Sequence, residues 1–369
     1  MLHETDILQL KGIAVQSSYN ILVLGASYGS LFATKSILAG HDVTLVCTQA
    51  EVEVINREGT VVILPIRGRE QPVRISSNQA PGKLSAITPD EANPPDFDLI
   101  VFAMQEPQYA SAGIRELMPK VGQSRVPCLA IMNMPPLPYL QRIPGLDTDS
   151  LKQCYSSPDT WQDFDPRFIT TASPDPQAVR PSLDELNVLQ VGLPTNFKAA
   201  RFASDEATAM LRSIQADIEN IRFDTDDGAI QLPVKLKVHD SLFVPLTKWQ
   251  MLLAGNYRCI RRDYMIPIGD AVHGYIDASR EIYDWVGDLC IRLGAGKDDL
   301  VPFEKYATAA TYLKKPSSAA RAVFGGATNI ERVDFLVQQI ARQLGVDTAV
   351  IDPIIVTVDE RLAINRGES

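Results

Sequence analysis

Histidine is scarce in this chain, with four (His3, His41, His239, His273) in 369 residues. An imidazole acid is therefore a thin option, and His273 with Asp270 and Asp277 reads as a solvated helix face without a second ligand set, so no metal site is expected. The five cysteines (Cys47, Cys128, Cys154, Cys259, Cys290) are odd in number, scattered, and without a CxxC pair. That excludes a disulfide frame or a zinc site and points to reduced thiols in the cytoplasm. No apolar run approaches the ~18 residues of a membrane span, and the acidic, polar N-terminus lacks a signal core, so neither membrane nor export is expected. Positive charge is also short: the formal net charge is -10 and no basic stretch gathers. Nucleic acid is excluded as a partner on that ground.

What is present is an ordinary globular composition, 45% hydrophobic and 22% charged, at a length that suggests two domains. The organising stretch is Asn20 to Cys47. Ile21-Leu22-Val23-Leu24 is a buried strand closed by Gly25, a turn GASYGS follows, then an amphipathic helix with Leu31, Phe32, Ile37 and Leu38, stopped by Gly40 before a second strand, Val43 to Cys47. Strand, glycine turn, helix and strand make the βαβ unit that binds dinucleotides, where backbone N–H groups reach a pyrophosphate only if no Cβ intervenes. The turn offers Gly25 and Gly29, with Ser27 and Ser30 near the other slots of a GxGxxG fingerprint, so Gly25, Ala26, Ser27, Tyr28, Gly29 and Ser30 are the candidate pyrophosphate residues.

Further strands are expected at Thr60–Pro65, Val73–Ile75, Phe97–Ala103, Cys128–Met132, Val188–Val191 and Phe197–Phe202. Helices are expected at Glu51–Gly59, Ser111–Met118 and, capped by Ser204, around Met210 to Ile221. Residues 78–95 read as a loop, and the Pro- and Asp-rich segment from Pro138 to Pro181, with Trp161 and Phe164, reads as a loop able to fold over a cleft. Beyond His239 the pattern is helical: Leu246–Ile260, Ala271–Leu293, Phe303–Leu313 and Glu331–Leu344, with Gly294 and Gly345 at helix ends. The fold class is α/β, an N-terminal Rossmann-type doubly wound sheet followed by an all-helical C-terminal domain. The division is residues 1–19 as a leader, 20–238 as the dinucleotide-binding domain and 239–369 as the helical catalytic domain, with the cleft between them as the default site.

In order and spacing these residues resemble the ketopantoate reductases (2-dehydropantoate 2-reductases), over Asn20 to about Leu344. GSLFATKSILAGHDVTLV is similar to that family's first helix and second strand. Asp240, Lys248 and Asn256 follow at intervals of eight, similar to the family's long helix with its catalytic lysine. Pro316-Ser317-Ser318 and Glu331 to Gly345 are similar to its C-terminal part. The resemblance implies an NAD(P)H-dependent reductase, a small anionic keto substrate and a possible homodimer. It implies Lys248 as catalytic acid, Asn133, Asn256, Ser317, Ser318, Asn329 and Glu331 around substrate, and Thr48, Met104 and Asn133 around the cofactor.

The departures bear on chemistry. The phosphate turn is one residue shorter than the family pattern. Thr48 stands where an arginine meets the 2′-phosphate of NADP, which leaves NAD possible. Met104 replaces a lysine and Leu252 an asparagine; Asn329 takes the register of a substrate-binding glutamate, with Glu331 two residues on.

Reducing a ketone needs a hydride on carbon, from the cofactor, and a proton on oxygen, from a side chain. Lys248, among Leu246, Trp249 and Leu252, would have its pKa lowered from ~10.4 by burial; the plain reading is a snorkelling lysine. Ser317 and Ser318 read equally as helix caps, and Arg258, Arg261 and Arg262 as an anion-binding or merely solvated helix face. Two other functions stay open, an opine-dehydrogenase-like imine reduction and a non-catalytic nucleotide sensor.

Overall fold

The computed structural model describes residues 18–368; the expected leader lies almost wholly outside them. Strands follow as β1 (Asn20–Leu24), β2 (Asp42–Val46), β3 (Val61–Leu64), β4 (Val73–Ser76), β5 (Leu84–Ile87), β6 (Leu99–Phe102), β7 (Cys128–Ile131), β8 (Ile169–Ser173), β9 (Gln177–Val179), β10 (Val188–Leu193), β11 (Phe197–Ala200), the hairpin β12 (Phe223–Thr225) and β13 (Gly228–Ile230), and β14 (Leu236–His239). The main sheet is ordered β14-β11-β8-β7-β6-β1-β2-β5. From β8 to β5 all neighbours are parallel, while β11 runs antiparallel to β8 and carries β14 parallel beside it. Continuous apolar runs such as Ile21 to Leu24 fit a position with both faces covered. The Rossmann-type sheet is thus present, with an antiparallel edge.

The loop expected at residues 78–95 contains β5, an edge strand too short and too half-polar (LSAI) to stand out by pattern. A second sheet, β4-β3-β10-β9, packs over the first helix.

Beside short helical turns at Leu137–Leu140, Thr148–Leu151 and Ile268–His273, the helices are α1 (Ala26–Leu38), α2 (Gln49–Glu58), α3 (Ile114–Ser124), α4 (Asp205–Asn220), α5 (Lys248–Met251), α6 (Ile276–Leu293), α7 (Phe303–Ala310), α8 (Ser318–Phe324), α9 (Val333–Gln343) and α10 (Asp352–Arg366). Ser204 caps α4, accepting the Ala207 N–H at 3.2 Å. The expected helix Leu246–Ile260 is instead one α-helical turn continued as a wide π-helical turn over Leu252–Asn256. The Met251 carbonyl accepts the Tyr306 hydroxyl at 3.1 Å, a side-chain bond that competes with the regular ladder. Because regular helix ends there, Arg258, Arg261 and Arg262 share no helical face; Arg258 donates to the Ala254 carbonyl and Ser279 Oγ.

One apolar core runs from a sheet face (Leu22, Leu24, Phe102) into the helical half (Trp249, Leu253, Leu336), and the other face is covered by α1 and α4. Trp161 and Phe164 belong to that first core, each 5.8 Å centroid to centroid from Phe102. They do not close over a cleft: aromatic burial outweighs the proline-rich sequence around them.

Candidate active site

The turn after β1 is a single residue. Gly25 is the N-cap of α1 at φ +104° and the helix begins at Ala26, so Ala26 to Ser30 are helical. A Cβ at Gly25 would lie 2.5 Å from Met104 Cγ and 3.1 Å from the Ala103 carbonyl, so both conformation and space require glycine. No side chain caps this helix. Its first-turn N–H groups therefore stand at the carboxyl end of β1, between β2 and β6, where a doubly wound sheet takes a pyrophosphate. These residues fit a dinucleotide. A Cβ at Gly29 would meet Val23 Cγ1 at 2.7 Å, so this glycine lets α1 pack closely on the sheet, as the last glycine of such a fingerprint does. Ser30 Oγ donates to the Ser27 carbonyl, and Tyr28 hydroxyl to the Pro176 carbonyl.

At the end of β2, Thr48 caps α2 in a reciprocal box with Glu51. Glu51 Oε2 accepts Thr48 N–H at 2.9 Å and Thr48 Oγ1 at 2.7 Å, while Oε1 pairs with Arg180, which follows β9. Burial alone would raise the Glu51 pKa, but the Arg180 and Thr48 donors more than offset it and hold the carboxyl below its ordinary value. An acid thus stands at this strand end, supplied by α2 rather than by β2 itself.

The substrate side is built by three elements. Asn133, just past β7, donates through Nδ2 to Glu331 Oε2 at 3.0 Å, and its Oδ1 is buried without a hydrogen-bond partner. Glu331, just ahead of α9, is 7% exposed; burial raises its pKa, against the donors Asn133, Met134 N–H and Glu106 N–H. Tyr257 hydroxyl donates to the Glu331 carbonyl. Asn256, in the wide turn, joins Asn133 and Glu331 with Gln105, Leu252 and Ser318 around a crevice enclosing about 20 Å³, room for one water. The wide turn of α5 carries Asn256 into that wall.

Asn329 is exposed, accepts from Arg366 at 3.1 Å and is not part of the crevice wall, whereas Glu331, two residues on, is. Ser317 is a cap: its Oγ accepts Ala320 N–H and donates to the Asn256 carbonyl at 2.7 Å. Ser318 lines the crevice. Met104, after β6, lies on Gly25 and donates its N–H to Tyr109 hydroxyl at 3.2 Å.

Lys248 opens α5 outside the crevice wall. Its Nζ donates to the Pro174 carbonyl at 2.5 Å and pairs with Asp175 Oδ1 at 3.1 Å. Burial lowers its pKa, and Asp175 opposes that shift. His273 contacts the Ala307 carbonyl, and no metal-holding cluster occurs among the described residues.

Sequence reasoning missed Glu106. It is 2% exposed, its Oε1 accepts Ser156 N–H at 2.9 Å, and its Oε2 has no partner. Burial pushes its pKa up from 4.5 to about 7, helped by Glu331 and opposed by the Ser156 and Ser157 donors. A carboxyl whose folded pKa is raised contributes stability that is present below the unfolded value and lost as pH rises through the folded one. Glu106 should therefore cost the fold up to about 3 kcal/mol between roughly pH 4.5 and pH 7.5. Urea unfolding across that range should show a decline in stability that Glu106→Gln reduces; an equally steep decline in the variant would assign it to other groups.

Helix α1 thus starts at the carboxyl end of β1, and the crevice wall is shared between the sheet, which supplies Gln105 and Asn133, and the helical half, which supplies Asn256, Ser318 and Glu331. No protein-family model and no curated protein matches the sequence. Solved structures do. A PanE/ApbA family ketopantoate reductase from Ralstonia eutropha JMP134 superposes with a TM-score of 0.62 at 13% identity, covering 94% of this chain and 99% of that one. A D-mandelate dehydrogenase with NADH and anilino(oxo)acetate gives 0.62 at 13%, covering 94% and 99%. The 2-dehydropantoate 2-reductase from Methylococcus capsulatus gives 0.58 at 12%, covering 95% and 98%. The chain has the ketopantoate reductase fold along nearly its whole length. No helix among the described residues is long and apolar enough to cross a membrane, and the five cysteines are free and buried.

Proposed function

We propose that this protein is a divergent member of the ketopantoate reductase family, an NAD(P)H-dependent reductase of a 2-keto acid or related anionic keto compound, with Lys248 as proton donor. The observation that carries the reading is convergence: Asn133, Asn256 and Glu331, distant in sequence, wall one crevice, and Lys248 opens the helical turn that continues into the wide turn bearing Asn256. A bound nicotinamide supplies the hydride. This chain's residues do the rest: α1 receives the pyrophosphate, the amides and Glu331 orient the substrate, and Lys248 Nζ gives its proton to the keto oxygen. Nicotinamide fluorescence with NADH and NADPH, then a panel of 2-keto acids, tests it. Binding of neither cofactor, or no turnover of any acid, refutes it. Met104 on Gly25 favours a second reading, a non-catalytic nucleotide sensor, which predicts binding without turnover.

Cofactor choice is proposed to rest on Glu51 and Arg180 at the end of β2, where the adenosine ribose belongs. Glu51 repels a 2′-phosphate and occupies the guanidinium that would bind it. Glu51→Gln should shift the NADPH-to-NADH affinity ratio toward NADPH by roughly tenfold, ~1.4 kcal/mol, and Arg180→Gln should shift it the other way. Equal ratios in wild type and both variants would remove this pair from the binding site.

A further inference from the structure

The loop after β8, Pro174-Asp175-Pro176, bridges the two halves of the proposed site. At one end the Pro176 carbonyl accepts the Tyr28 hydroxyl of α1 at 2.7 Å. At the other the Pro174 carbonyl accepts Lys248 Nζ at 2.5 Å. Between two prolines, whose φ is locked, Asp175 shares its carboxylate. Oδ1 is 3.1 Å from Lys248 Nζ and Oδ2 is 3.0 Å from Lys198 Nζ. Lys198 lies on β11, paired with Ser173 of β8, so the sheet itself fixes its distance from the loop. The side chains of Lys248 and Asp175 are 15% and 11% exposed, that of Lys198 31%. One anion thus serves two cations, the inner one buried and the outer one opening to solvent.

We propose that Asp175 and Lys198 are positioning residues for Lys248, holding its ammonium at the end of β8 and deciding how readily it gives up a proton. The proposal rests on the reading of Lys248 as the acid. An unperturbed lysine, at ~10.4, is a poor proton donor near neutral pH. A private carboxylate at ion-pair distance would make it poorer still, because the opposite charge favours the ammonium. Sharing that carboxylate changes the balance. With Lys198 on the other oxygen, the cluster holds two positive charges against one negative in a partly buried place, and loss of one proton relieves the excess. Burial selects Lys248 for that loss, while Lys198 remains solvated. In the step itself the Nζ–H bond of Lys248 breaks, its electron pair stays on nitrogen, and the proton joins the keto oxygen as hydride joins the carbon. The amine then regains a proton from water.

The other groups facing this cluster are Glu331, which acts on Lys248, Tyr28 and Tyr283, which lie near Asp175, and His239 on β14, which lies beside Lys198 with Lys237, Asp240 and Asp299 in range. Burial keeps Tyr28 and Tyr283 protonated far above neutral pH, and burial and Lys198 lower the pKa of His239, disfavouring its charged form.

The two positioning residues therefore predict displacements of opposite sign. Turnover requires the charged form of Lys248 and falls as pH rises through its pKa. Asp175→Asn removes the anion and should move that fall to lower pH by about one unit; Lys198→Met removes the competing cation and should move it to higher pH by a comparable amount. A purely structural role would lower activity at every pH and leave the position of the fall unchanged. The measurement is the pH dependence of kcat with NADH or NADPH and the best 2-keto acid, on full-length wild type and both variants. Beside it, the pH dependence of acetylation of Lys248 by acetic anhydride, read by mass spectrometry, follows the same proton without any substrate. Opposite displacements in both readouts support the proposal. Turnover with falls that coincide, or that move the same way, overturns it and leaves the reductase reading standing. Opposite displacements in labelling with no acid reduced by wild type keep the electrostatic cluster, but fail the reductase reading and with it the catalytic role assigned here. Should Asp175→Asn fail to fold, the upward displacement in Lys198→Met decides alone.

Discussion

Lys248→Ala is expected to lower kcat by about 10²–10⁴-fold, the usual cost of losing a positioned general acid, with cofactor affinity nearly unchanged. The side chain reaches the Pro174 carbonyl and Asp175 at the end of β8 and does not contribute to the turn at Gly25. Lys248→Arg should be almost as damaging: a guanidinium keeps the charge and holds Asp175, but does not release its proton at working pH. Steady-state kinetics with a cofactor titration checks both variants. Activity within a few-fold of wild type at any pH would dismiss Lys248 as the acid.

Arg332→Met carries the largest expected loss of stability. Arg332 grips Asp334 through two bonds of 3.0 Å each, Nε to Oδ1 and one terminal nitrogen to Oδ2, and its other terminal nitrogen reaches Asp359 at 2.6 Å. Asp334 is wholly buried. Burial pushes its carboxyl up and Arg332 opposes that, while the two carboxylates raise Arg332 further and keep it charged. Removing the guanidinium strands the buried carboxyl, at a cost of about 3–5 kcal/mol and roughly 10 °C in Tm. The double variant Arg332→Met, Asp334→Asn should recover part of that loss because no charge is left unpaired. Glu331 precedes this network directly, so the single variant should also disturb the contact of Glu331 with Asn133. Differential scanning calorimetry of both variants checks the stability; a single variant melting with wild type would show the pair to be dispensable.

The parts of the site that were legible in the sequence are those governed by local rules. Gly25 was readable because an apolar strand must turn sharply into α1; Lys248 and Asn256 were singled out by their spacing through a family resemblance, and of the two only Asn256 lines the crevice. Even there the wide turn at Leu252–Asn256 was invisible, since the hydroxyl that competes for the Met251 carbonyl comes from Tyr306 on α7. Asn329 and Glu331 show the limit of counting: two residues of register separate an exposed side chain from a buried one, and only packing decides between them.

The sequence by itself determined the β1–α1–β2 start, the apolar strands β6 and β7 and the helical character of the second half, because apolar periodicity, glycine and capping residues act over a few neighbouring positions; β5, β8, β9 and β14, short and partly polar, took their places only in the folded sheets. The tertiary structure alone decided which charges meet. Asp175 finds Lys198 and Lys248, Arg180 finds Glu51, and Glu106 N–H finds Glu331 across elements far apart in the chain. Such contacts leave no periodic trace: they follow from which elements the fold sets beside the ends of β2, β6 and β8, and from the partial burial of the charges that meet there.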